Sequence, residues 1–89
     1  MGQTYSHRIL TEDVNRQLVI DILSKYFDSF SIVPQVGYWK GQEERSLSIE
    51  IIGASEKNVL RASEEIRIAN SQEAIMVFSI TGKSKLLIA

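Results

Sequence analysis

Two aromatic and two basic side chains crowd one short stretch of the chain. Tyr38, Trp39 and Lys40 stand between Gly37 and Gly41, with Arg45 just beyond. Aromatic faces stack on nucleobases, and a lysine and an arginine beside them can take phosphate oxygens. Trp, Tyr and Arg are also the residue types that dominate protein–protein contacts. A plainer reading has Tyr38 or Trp39 packing over the core with the two cations in water.

Elsewhere the chemistry is sparse. The chain has no cysteine and a single histidine, His7. That excludes disulfides, thiol catalysis, cysteine metal sites and histidine-pair sites. A lone histidine in a short strand is expected to be structural, with proton transfer or ligand contact as its alternative. No G-x-S-x-G surrounds a serine, and no phosphate-binding glycine pattern is present. Thr81-Gly82-Lys83-Ser84 resembles the end of a P-loop but lacks its upstream glycine. Glu43-Glu44 and Glu64-Glu65 are adjacent pairs, expected to be solvated rather than opposed across a cleft. No catalytic residue, metal ligand set or cofactor is expected.

Charge narrows the classes further. Ten Lys/Arg balance eleven Asp/Glu over 89 residues, and both halves of the chain are near neutral. Without a basic block, a general electrostatic binder of nucleic acid is not expected. Hydrophobic residues at 44% and charged residues at 24% describe a globular domain, expected to span residues 1–89 as one unit. No apolar run reaches the ~20 residues of a membrane span. No secretory signal is visible either, so a cytoplasmic protein is expected. Met1-Gly2 with Ser6 fits a loose myristoylation pattern, which is set aside because Tyr5 and His7 read as strand.

The elements that position these residues follow from periodicity. Tyr5, His7 and Ile9 alternate with polar residues and predict a strand over 3–9. Thr11 is expected to cap a helix over 11–27 whose apolar face includes Val14, Leu18, Ile22 and Tyr26. Residues 30–39 alternate again, and Pro34 places that strand at a sheet edge. A polar turn over 40–44 leads to a return strand over 45–52. Ser55 is expected to cap a second helix over 56–69, with Asn70 as its stop. A strand over 72–81, a turn at 81–83 and a short fifth strand over 84–89 complete the chain.

The order β-α-β-β-α-β is that of the ferredoxin-like α+β fold, with sheet order 4-1-3-2 and both helices on one face. The opposite face is open, and Arg8 and Glu50 are expected to meet there as a cross-strand pair. The fourth strand is apolar on both sides, Met76 and Phe78 on one and Ile75 and Val77 on the other. The tail adds Leu86, Leu87 and Ile88. That surplus predicts a homo-oligomer, a dimer before other states, with Ile75, Val77, Leu86, Leu87 and Ile88 at the interface.

Gly37, Trp39 and Glu44, followed by an apolar strand, a helix and the run Gln72-Glu73-Ala74-Ile75-Met76-Val77, carry a family likeness. Over residues 30–78 the chain resembles a group of short uncharacterised bacterial and phage proteins with a G-x-W hairpin, a nearby Glu and a Q-E-A/S-V strand start. The resemblance implies a ferredoxin-like fold and a small binding role on a phage or mobile element; it transfers no activity.

The leading expectation is a small non-catalytic binding protein, a phage or mobile-element factor against host defence. It would occupy a protein partner or sequester a nucleotide-type signal through Tyr38, Trp39, Lys40 and Arg45. The alternatives are a self-associating assembly module and a dimeric ferredoxin-like-barrel enzyme with His7 or Glu50 as acid or base.

Overall fold

Alternate residues of the central strands and one stripe of each helix close on a single apolar core. Ile9, Leu47, Ile49 and Ile51 enter it from the strands, and Val19, Ile22, Leu23, Val59, Ala62 and Ile66 from the helices. The computed structural model describes the backbone over residues 2–84 and side chains over 5–80. The elements are β1 (Gly2–Glu12), α1 (Arg16–Tyr26), β2 (Ser31–Trp39), β3 (Gln42–Ile52), α2 (Glu56–Ala69) and β4 (Met76–Ser84). The antiparallel sheet runs β2-β3-β1-β4, with Pro34 on an edge strand, which is the ferredoxin-like arrangement. Among the described residues no helix is long and apolar enough to cross a membrane.

The first helix starts later than its sequence suggests. Thr11 does not cap it. Positions 7, 9 and 11 continue one inward-facing row of β1, and Thr11 is buried there. Its hydroxyl donates to the Gln72 side-chain oxygen at 2.6 Å, and the Gln72 amide returns a bond at 3.0 Å. The chain turns only at Asn15, which adopts the left-handed conformation and accepts from the Leu18 amide. Val14 consequently lies outside the helix and is exposed. The second helix spans 56–69 as expected, because Ser55 accepts from the Asn58 amide and Asn70 ends it.

The β2–β3 turn is shorter than expected. Only Lys40 and Gly41 form it, both with positive φ (49° and 78°), the twist that joins two strands directly. At the other end of the chain, residues 81–83 are not a turn, since β4 pairs with β1 through Ser84. The expected fifth strand, with Leu86, Leu87 and Ile88, lies outside the described residues apart from Ser84.

Ile75 and Val77 face inward. Val77 pairs with Ile9, and both residues are half-buried against the core. Among the described residues, β4 offers Met76, Phe78 and Ile80 on the open face. An interface through that face would meet their side chains, whereas Ile75 and Val77 face the core. Arg8 and Glu50 do meet there, at 2.8 Å, with both side chains about half exposed.

Candidate functional site

The sheet is staggered, and its stagger creates the site. β1 stops pairing with β3 at Glu12 opposite Ser46. Beyond that rung β2 and β3 have only each other, so Val36–Trp39 and Gln42–Arg45 form a two-stranded arm. Alternation then divides the residues expected to act together. Tyr38 and Arg45 lie on one face of the arm and Trp39 on the other. Tyr38 and Trp39 are 74% and 63% exposed, so neither packs over the core. The Lys40 ammonium sits 5.6 Å from the Trp39 ring centroid, a cation–π contact at the tip.

Arg45 belongs to the arm's base. There Glu12, Asp13, Val14, Gly37, Glu44, Arg45 and Ser46 line a cleft of about 360 Å³. The Asp13 amide donates to the Arg45 carbonyl at 3.2 Å, tying the β1–α1 loop to the arm. The Asp13 carboxyl is engaged by Arg16 at 2.7 Å. That bond above all holds it below the ordinary carboxylate range, with the Arg45 charge adding to the effect. Arg45 is the one arginine of this lining, and alternation sets it on the opposite face of β3 from Glu44, whose face Glu12 shares as the partner of Ser46; the balance of the lining is acidic.

A second, more apolar cleft of about 380 Å³ lies beside it, lined by Leu10, Thr11, Glu12, Ser46, Ala74, Ile75 and Met76. Glu12 and Ser46 line both. The base of the arm therefore juxtaposes apolar side chains and a pair of carboxylates. Lys40, at the far end of the arm, does not line either cleft. Sequence reasoning grouped Lys40 with Arg45 and missed Glu12, whose place beside Ser46 at the base of the arm depends on a β1–β3 register that no local pattern reveals.

His7 is buried in β1, with Nδ1 2.8 Å from Ser79 Oγ and Nε2 3.0 Å from the Ala54 carbonyl. Ser79 went unnoticed in the sequence because the two residues meet only across the β1–β4 ladder. Among the described residues no cluster of His, Cys, Asp and Glu could hold a metal ion.

No family model matches the chain, and no curated protein does. Solved structures do. A DUF3240-family protein from Shewanella baltica gives a TM-score of 0.69 at 9% identity over 100% of both chains. CPII, a nitrogen regulatory PII-like protein from Thiomonas intermedia bound to ADP, AMP and bicarbonate, gives 0.66 at 16% identity over 97% of both. A phage SAM lyase in complex with S-methyl-5′-thioadenosine gives 0.64 at 24% identity over 92% of both. At these identities the likeness establishes the shared fold.

Proposed function

We propose that this chain is a small self-associating binding protein that holds an adenine nucleoside at the base of the β2–β3 arm. The observation that carries the reading is the pair of clefts joined at Glu12 and Ser46. A purine ring fits against Leu10 and Met76, which pair across β1 and β4 on one face, and ribose hydroxyls donate well to Glu12 and Glu44. Two carboxylates against one guanidinium disfavour a phosphate chain, which alters the sequence expectation that Lys40 and Arg45 bind phosphate. Two fold neighbours holding adenine compounds support the same ligand class. Tyr38, Trp39 and Lys40, free at the arm tip, suit contact with a protein, a second copy included. In a phage or mobile element, withholding such a nucleoside from a host defence system would be the use of this binding.

Calorimetric titration with S-methyl-5′-thioadenosine, AMP and ADP tests the ligand. Saturable binding of the thioadenosine, weaker for AMP and ADP and reduced about ten-fold or more in Glu44→Gln, is expected. Tighter binding of ADP, or wild-type affinity in Glu12→Gln/Glu44→Gln, would overturn the assignment. Chromatography of S-adenosylmethionine incubated with the protein separates holding from turnover, since a lyase would release the thioadenosine.

A further inference from the structure

His7 takes no part in the arm, yet both of its ring nitrogens are engaged. The Ala54 carbonyl can only accept, so Nε2 carries the ring proton in the neutral imidazole. Nδ1 is then a bare lone pair, and the Ser79 hydroxyl donates to it at 2.8 Å. Hydroxyl to base, and base to a fixed acceptor, is the bonding sense of an activated nucleophile. A backbone carbonyl here holds the position that a carboxylate holds in a Ser-His-Asp triad.

A satisfied structural histidine would need nothing more, but this pair is open to a ligand. His7 is 3% exposed, whereas Ser79 lies on an edge strand and is exposed. A cavity of about 260 Å³ reaches both, walled also by Tyr5, Ala54, Ser55 and Glu56. Glu56 opens α2, so the wall includes the first turn of a helix, whose leading amides lack intrahelical acceptors. The cavity suits a small molecule, and the Glu56 carboxylate disfavours an anionic one.

The geometry points to Ser79 as a nucleophile activated by His7, acting on short acyl esters that carry no negative charge. Ser79 Oγ bonds to the acyl carbon as its proton passes to His7 Nδ1. The ester C–O bond breaks, and the leaving alkoxide takes that proton and departs as the alcohol. Water then adds to the acyl-serine, giving a proton to Nδ1. Collapse expels Ser79 Oγ, which regains the proton, and the carboxylic acid is released. Throughout, the Nε2–H stays on the Ala54 carbonyl, which positions the ring.

The full chain is treated with an uncharged fluorophosphonate ester and, separately, with p-nitrophenyl acetate. One phosphonyl group per chain, mapped by peptide mass to Ser79, is expected, with Ser79→Ala slowing ester hydrolysis about 100-fold. Ser79 is exposed, so this variant should fold, and an unchanged circular dichroism spectrum checks that it does. His7→Gln, if folded, should slow labelling by a similar factor. Failure to label Ser79, or equal hydrolysis by Ser79→Ala, would overturn the assignment. Thioadenosine binding by Ser79→Ala reports separately on the arm site.

Discussion

Gln72 joins three parts of the molecule through one side chain and its backbone. Its side-chain oxygen accepts from the Thr11 hydroxyl and from the Glu12 amide, at 2.6 and 3.3 Å. Its own carbonyl accepts from Arg67 at 3.2 Å. Gln72 is 5% exposed and Thr11 3%, so their side-chain pair has no water to turn to. Gln72→Ala should cost about 1–3 kcal/mol by stranding the Thr11 hydroxyl and the Glu12 amide. In a domain of this size that lowers Tm by roughly 4–8 °C per kcal/mol, readable by calorimetry. Thr11→Val in the Gln72→Ala background should cost less than it does alone, because the bond it removes is already broken. Glutamine was legible in the sequence as part of a family-like run, but its partner was not. Thr11 carried a helix-capping signal that β1 overrode by drawing residue 11 into its buried row.

At the scale of elements, α1 and α2 touch through Lys25 and Glu65. The Lys25 bond chiefly holds the Glu65 carboxyl below its ordinary value of 4.5. A depressed carboxylate contributes stability that is present above its unfolded value and lost as pH falls through the folded one. Tm should therefore be level from neutral pH down to about 5 and drop below that, Asp13 and Glu64 acting in the same direction. In Glu65→Gln the drop should be smaller, and the two melting curves should converge toward pH 3 on the order of the unfolded carboxylate range. Identical pH profiles for the two proteins would show that the helix contact carries no linkage. The helices also mark where local pattern suffices. Both ends of α2 were readable because Ser55 and Asn70 act within a turn of themselves. The proposed site was half readable: Tyr38, Trp39, Lys40 and Arg45 are neighbours in sequence, but strand alternation and the length of the arm separate them in space.

At the scale of the whole molecule, the proposed self-association would use the open sheet face. Its central row runs Ser31, Glu50, Arg8 and Phe78 across the strands. Phe78 is exposed between Met76 and Ile80 on β4, Val33 and Ile52 are exposed on the same face from β2 and β3, and the ion pair occupies the middle. Phe78→Asp should leave the protomer folded, since the side chain is outside the core, and should return the native mass to 10.1 kDa. A wild-type protein that already travels at 10.1 kDa in native mass spectrometry would end the self-association reading. Apolar surplus was evident in the sequence from alternation alone. Which side of β4 the helices cover was not, because both sides are apolar and only the Val77–Ile9 pairing decides between them.

The two-stranded arm also makes the molecule its own reporter. Its rungs beyond Ser46 are held by one partner strand each, so the arm can open while the core stays shut. Trypsin should therefore cut after Lys40 and Arg45 well before it cuts at sites within α1 and α2. A nucleoside seated between Glu12 and Glu44 would clamp the hinge of that opening. Its occupancy would then be readable on a gel, as the lifetime of the uncut chain at rising ligand concentration.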